Sequence, residues 1–258
     1  MASSANPERN PLIRKLAQAE ALTYHDQTIL AEMCSRPRYV EAGEDIIRVG
    51  DQPSDVHLVL DGFACRYKIL PEGNRQIVAL LVPGDFCDLH VAILGEMDHS
   101  IATLTPCTII DIPAATVRRL TEDQPRITRA LWWATLVDEG ILREWLSSMG
   151  QREAPERMTH LFCELLLRLR LVGAVDDDGY DLPLTQADLG DLLGMTSVHV
   201  NRTLRHLREL DLVEFKRKRL TIPDVTRLKA YCSFDPTYLH LRPSLRADEQ
   251  KSAPDSHH

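Results

Sequence analysis

The sequence predicts an α+β chain: an antiparallel, jelly-roll-like β-roll near the N-terminus, a long helix, and a winged helix-turn-helix near the C-terminus. Between Tyr39 and Ile112, short apolar runs are punctuated by Gly and Pro turn signals, the mark of antiparallel strands rather than βαβ units. From Pro125 to Met149 an apolar stripe recurs at alternating spacings of four and three, a helical period held over many turns. From Leu184 to Leu207 two segments with apolar faces flank a glycine, and a basic turn follows them.

A chain of 258 residues with 44% hydrophobic content can bury two modest cores. The expected division is 1–124 for N-terminal helices and a β-roll sensor domain, 125–151 for a dimerisation helix, 152–226 for the winged helix-turn-helix, and 227–258 for a partly disordered tail. No apolar run approaches the length of a membrane span and Met1 to Asn10 is polar, so a cytoplasmic protein with no membrane partner is expected. The six cysteines, at 34, 65, 87, 107, 163 and 232, form no C-x-x-C pair, which predicts free thiols and neither a zinc knuckle nor a disulfide framework. A net charge of −8 excludes indiscriminate coating of nucleic acid, where phosphate attraction dominates.

Taken in order, Pro11 to Ser35 carries apolar residues with a break near Thr23 to Asp26, predicting two short helices. The runs Ile46 to Val49, Val56 to Leu60 and Ile77 to Val82 predict strands. They are bounded by Gly50-Asp51, Asp61-Gly62, Pro71-Glu72-Gly73-Asn74 and Pro83-Gly84-Asp85. Pro125 suits a first helical turn. In the helix it opens, Ile127, Leu131, Ala134, Asp138, Ile141, Trp145 and Ser148 have the spacing of a two-stranded coiled-coil seam, which predicts a parallel homodimer. Asp138 interrupts that seam, and the alternative is that the stripe packs on its own β-domain. Gly150 to Pro155 is a candidate hinge. Beyond it Met158, Leu161, Phe162, Leu165, Leu169 and Val172 mark one apolar helix face, ending at Gly173 and the acidic turn Asp176-Asp177-Asp178-Gly179, read as a solvated loop.

The stretch from Leu184 to Leu207 is the most informative. Thr185 followed by Asp188 is a capping signature, Leu189, Leu192 and Leu193 form an apolar face, Gly194 permits a left-handed helix end, and Thr196 can cap the next helix. Val200, Leu204 and Leu207 then point inward, leaving Ser197, His199, Asn201, Arg202, Arg205 and Arg208 outward as donors. A helix of this kind fits the major groove of double-stranded DNA. Arg202 is the candidate for bidentate reading of guanine, with Thr185 and Gln186 placed for backbone contacts. Leu212 to Ile222 predicts two strands around Lys216-Arg217-Lys218-Arg219, a wing whose Lys216 and Lys218 touch phosphate. From Met195 to Ala230 there are nine Lys and Arg against four acids, a local positive excess inside an acidic chain.

On these residues, with Gly50-Asp51, Asp61-Gly62, Pro83-Gly84-Asp85-Phe86 and the Leu184 to Leu207 pair with its wing, the chain resembles the Crp/Fnr superfamily of transcription regulators over about two thirds of its length. The resemblance implies a cyclic-nucleotide-binding-type β-roll and a homodimer on a palindromic operator, with RNA polymerase as a partner if the regulator activates. It also marks departures. Where cyclic-AMP-binding members carry Gly-Glu-Leu and Arg-Ser, this chain has Asp88-Leu89-His90 and His99-Ser100. The ribose carboxylate and phosphate guanidinium are missing, so cyclic AMP is not the expected effector. Iron–sulfur members carry clustered N-terminal cysteines, whereas only Cys34 precedes residue 60. In the reading helix Val198 stands where many members have a Glu that accepts from cytosine, so the half-site should differ there.

An effector pocket is expected around Phe86, Cys87, Asp88, His90, His99 and Ser100, its small-molecule ligand unknown, with no cofactor and no metal assigned. A metal- or redox-responsive site using Cys87, Asp88, His90, Asp98, His99 and Cys107 is the alternative, although strand alternation would put Cys87 and His90 on opposite faces. A regulator with no ligand, and an adaptor that binds protein rather than DNA, also remain open. A cupin-type metalloenzyme lacks the close His-x-His pairing, and no nucleophile triad or Walker motif occurs, so no catalysis is expected. In the tail, Phe234, Tyr238, Leu239 and Leu241 suit packing on a domain, Arg246 to His258 reads as disordered, and His257-His258 resembles a tag remnant.

Overall fold

A computed structural model describes residues 7–176 and 179–242. The expectations for Arg246 to His258, for Asp177 and Asp178, and for the first residues of the chain fall outside them. Helices α1 (Pro11–Leu16) and α2 (Tyr24–Met33) open the described chain. They part where Thr23 and Asp26 cap α2 reciprocally, each side chain accepting from the other's amide.

The β-roll follows as two antiparallel sheets. One takes β1 (Pro37–Val40), β3 (Asp55–Asp61) and β7 (Cys107–Pro113) in the order β1-β7-β3. The other takes β2 (Asp45–Ile47), β4 (Ala64–Ile69), β5 (Arg75–Leu81) and β6 (Ser100–Thr103) in the order β2-β6-β4-β5. Val59, Ala64, Ile101 and Ile109 are fully buried in the core between them. A single helical turn, α3 (Val91–Leu94), interrupts the roll, and α4 (Ala114–Asp123) leads out of it into α5 (Pro125–Gln151).

The stripe read as a dimer seam is turned inward. Ile127, Leu131 and Ala134 pack with Leu12, Leu16 and Ile112, and Ile141 packs with Phe63, Ile77 and Leu80. Trp145 donates its indole N–H to Glu164 at 3.0 Å, and Asp138 accepts from Arg66 at 3.3 Å. The exposed stripe of α5 lies one residue further on, at Trp132, Thr135, Glu139, Leu142, Leu146 and Met149, with Trp132 71% and Leu146 75% exposed. A shift of one residue rotates a helix face by about 100°, so the stripe read as a seam packs on this chain's own β-roll, as the alternative has it, and the exposed face is the adjacent one.

Helix α6 (Ala154–Val172) is buried on almost every side rather than along the one predicted face, since His160, Cys163, Glu164, Leu166 and Leu167 are buried too. It runs between α5, the β4–β5 hairpin and the C-terminal unit, and a helix covered all round has no solvent face to keep polar. Four of the charged groups around it are matched in series. Lys15 meets Asp85 at 2.6 Å, Asp85 meets Arg168 at 2.7 Å, and Arg168 meets Glu164 at 3.0 Å.

The C-terminal unit comprises β8 (Gly179–Asp181), α7 (Gln186–Leu193), α8 (Ser197–Glu209), β9 (Glu214–Lys216), β10 (Arg219–Thr221) and α9 (Val225–Tyr231). The boundary read at 226/227 falls inside α9, which begins at the Asp224 cap, where the carboxylate accepts from the Arg227 amide at 2.9 Å. After α9 a 3-10 turn (Pro236–Leu239) packs against the long helix and α6, and the Tyr238 hydroxyl donates to Glu164 at 2.9 Å.

Candidate functional site

Local chemistry builds the helix pair. Asp188 donates its amide to the Thr185 hydroxyl at 3.0 Å and accepts from the Thr185 amide at 3.0 Å. Gly194 ends α7 in the left-handed conformation with φ of 63°. Gly190 is needed for a second reason, because a Cβ there would lie 2.5 Å from the Met195 carbonyl oxygen, so the turn can close tightly on α7. Thr196 caps α8 by accepting from the His199 amide at 3.2 Å.

On α8 the inward residues are Val200, Leu204 and Leu207, as predicted, with Thr203 beside them. Ser197, Val198, His199, Asn201, Arg202 and Arg205 are exposed on the remaining faces, as are Thr185 and Gln186 at the start of α7. Arg202 makes no hydrogen bond or ion pair among the described residues, and Arg205 has only a 3.8 Å contact with Glu209. These guanidiniums are therefore free to meet an acceptor from outside.

The wing is a three-stranded sheet in the order β8-β10-β9. Its turn is the two residues Arg217 and Lys218, with φ of 51° and 64°. Two consecutive positive φ values in a two-residue hairpin loop are the type I′ turn, which ordinarily takes Asn-Gly. Here the sequence keeps two cations where local backbone preference would remove them. Lys216, Arg217 and Lys218 are all exposed.

The expected effector pocket is only half assembled by the residues named for it. A cleft of about 670 Å³ between the β-roll and α5 is lined by Phe86, His90 and His99. Cys87 instead lies in the β-roll core, where burial pushes its thiol pKa well up. Asp88 is fully buried beneath β3, its two oxygens taken by the His57 amide at 2.6 Å and the His57 ring at 2.7 Å. Ser100 accepts from the Val49 amide at 3.0 Å. Among the groups that do line the cleft and were not foreseen are Lys15, Arg66, Asp138 and Arg168. Arg66 is held by the carbonyls of Cys87 and Phe86, both at 2.8 Å, and by Asp138. The charge that broke the apolar period of α5 was the available sign that this helix faces a polar cleft.

Comparison with known proteins agrees with both units. Residues 156–231 match the Crp-like helix-turn-helix domain and residues 37–124 the cyclic nucleotide-binding domain. The chain is 28% identical over 197 residues to a probable transcriptional activator of Rhizobium leguminosarum bv. viciae, spanning 76% of this chain and 81% of that one. It is 27% identical over 202 residues to the nitrogen fixation regulation protein FixK of Bradyrhizobium diazoefficiens, spanning 77% and 83%. Among solved structures, FixK2 from Bradyrhizobium japonicum superposes with a TM-score of 0.68 at 21% identity, over 76% of this chain and 96% of that chain. That likeness establishes the shared fold.

Proposed function

This chain belongs to the Crp/Fnr superfamily of transcription regulators, and we propose that it acts as a homodimer whose two α8 helices read a palindromic operator. The single observation that carries this reading is the exposed, unpaired Arg202 on a capped helix whose opposite face is buried. Ser197, His199, Asn201 and Arg205 share the reading role, Thr185 and Gln186 hold the backbone at the start of α7, and Lys216 and Lys218 of the wing contact phosphate. Val198, 67% exposed, offers a thymine methyl a contact where an acid would accept from cytosine.

The exposed stripe of α5 supports pairing of two copies through Trp132, Leu136, Leu142 and Leu146, and in this reading the two α8 helices meet half-sites about one helical turn apart. Relatives named as activators support RNA polymerase as a further partner. The work is regulatory rather than catalytic. A cytoplasmic location follows from operator binding, and no described helix is long and apolar enough to cross a membrane.

Cyclic AMP is not the effector in this reading. Both oxygens of Asp88 are spent on His57, and the nearest cleft guanidinium, Arg66, is spent on two carbonyls and Asp138. Neither can serve a ribose or a cyclic phosphate without leaving a buried partner unmatched.

Selection of genomic fragments with the purified protein, followed by salt-series binding of the selected duplex, tests the reading. We expect one shared palindrome, with Arg202→Ala costing about 1–3 kcal/mol and relaxing the preference at one base pair. No enriched sequence, or unchanged binding by Arg202→Ala, would favour an adaptor that binds protein.

A further inference from the structure

His90 and His99 stand together on the wall of the cleft between the β-roll and α5. Their rings lie 5.5 Å apart, centre to centre, with an angle of 39° between the planes. His90 precedes α3 and His99 precedes β6, so the fold brings them together from either end of one loop. The Nε2 atoms of both rings are buried, and neither has a hydrogen-bond partner among the described residues. A buried polar atom is ordinarily paired, and two orphaned ring nitrogens side by side are a donor set without its acceptor.

The state of the rings is fixed by their surroundings. Nδ1 of His99 lies 2.6 Å from Oδ1 of Asp98, so the proton sits on Nδ1 and the lone pair on Nε2. A carboxylate behind an imidazole in this way orients the ring as a metal ligand and raises its basicity. Ligand atoms of His90, Asp98 and His99 lie within 4.8 Å of one another. Two nitrogens at about 2.0–2.1 Å from one tetrahedral ion stand roughly 3.3 Å apart, so the two rings would close on the ion from their present 5.5 Å centre-to-centre separation. Arg66 and Lys68 oppose a cation here. Against them stand Asp98, Glu96 on the same cleft, and the Asp138 carboxylate already matched to Arg66.

We propose that Nε2 of His90 and Nε2 of His99, with Asp98 behind His99, bind one divalent transition metal ion of the zinc class, and that this ion is the effector of the regulator. The inference deepens the regulatory reading and rests on it for the word effector. Imidazole nitrogen suits zinc, cobalt, nickel and copper rather than magnesium or calcium. Such an ion would tie the α3 loop to the start of β6 on the wall that faces α5.

The test uses the full chain, stripped with chelator. Zinc is titrated calorimetrically and cobalt by its visible absorption, with the double variant His90→Gln/His99→Gln as the baseline for binding elsewhere, His257-His258 included. We expect one extra equivalent per wild-type chain, absent from the double variant, and a 10–100-fold weaker site in Asp98→Asn. Asp98 is exposed, so that variant tests the site without disturbing the core. Zinc should also change operator affinity about 5-fold or more in wild type and not in the double variant. Equal binding by wild type and double variant overturns the site, and binding without any change in operator affinity overturns the effector role. If zinc fails to bind while the operator is still read, the metal inference alone falls. If zinc binds one equivalent and no operator is selected, the DNA reading falls and the metal site stands.

Discussion

Arg75, on strand β5 of the β-roll, sets Nη2 2.6 Å from the carboxylate of Asp188, the residue that caps α7 in the helix-turn-helix. Its Nε reaches Asp191 at 2.7 Å, and the neighbouring Gln76 donates to the Asp191 carbonyl at 2.7 Å. The β-roll sheet thus grips the first helix of the helix-turn-helix. Burial opposes the charge on Asp188, but the hydroxyl and amide of Thr185 and the Arg75 guanidinium outweigh it and hold the carboxyl below its ordinary range.

Replacing Arg75 by Met removes both contacts while Thr185 keeps the cap. The expected cost is about 1–3 kcal/mol of stability, with faster amide exchange along α7. Denaturation combined with hydrogen exchange checks this, and unaltered α7 protection in Arg75→Met would show that the hairpin does not hold the helix.

Asp85 lies between Lys15 and Arg168 and also accepts from the Val82 amide at 2.8 Å. Burial raises its pKa, and the two cations overcome that to bring it down to about 2. A carboxylate lowered in the fold stabilises it fully above its ordinary pKa near 3.8, and that stability is lost as the pH falls through about 2. The contribution is on the order of 2 kcal/mol. Asp85→Asn takes from Lys15 its close partner and leaves Arg168 with Glu164 alone, and should cost about 3–5 kcal/mol at neutral pH, while removing this group's share of the acid loss. Urea midpoints across the acid range measure both. An acid limb as steep as wild type would count against it.

The wing turn separates backbone preference from charge. Arg217→Asn with Lys218→Gly supplies the residues a type I′ turn favours and should raise stability by about 0.5–1 kcal/mol. If both cations touch phosphate, the same change should lower operator affinity at low salt and reduce the salt slope by about 2. Paired melting and salt-series binding would read the two effects in opposite directions.

For the long helix, Leu146→Glu should yield monomers at micromolar concentration with little change in the melting of each chain. Ile127→Ala should instead cost about 2–5 kcal/mol of fold stability through a buried cavity. Sedimentation of the two variants distinguishes the faces, and a monomeric wild type would dispose of the dimer.

The helix-turn-helix was legible because its signals are local: the Thr185–Asp188 cap, the left-handed Gly194 and the inward Val200, Leu204 and Leu207 all act within a few residues of one another. Which face of α5 stays exposed was not. Both Leu131 and Trp132 begin stripes of four-and-three spacing along α5, and periodicity alone does not say which of two adjacent apolar faces the rest of the chain will cover. The cleft was less legible still. Asp88 is a carboxylate that the sequence puts among the candidate pocket residues, but His57, distant in the chain, claims it. Lys15, Arg66 and Arg168 come to the cleft from three separate elements, and none belongs to a motif. The histidine pair was visible as residue types, and only the fold aligns their orphaned nitrogens.

Tyr238 and the residues around it have a consequence for how the protein is made. Phe234 and Leu239 belong to the same packed interior as Phe63, Ile77 and Phe162, and Tyr238 supplies one of the partners that make buried Glu164 tolerable. During synthesis the β-roll leaves the ribosome well before these last contributors do. The core between the two sheets closes on residues 40–109 alone, but the face of the β-roll that carries Phe63 and Ile77, and the buried charges along α6, are completed only once residue 239 has emerged, so this part of the molecule does not finish folding one domain at a time.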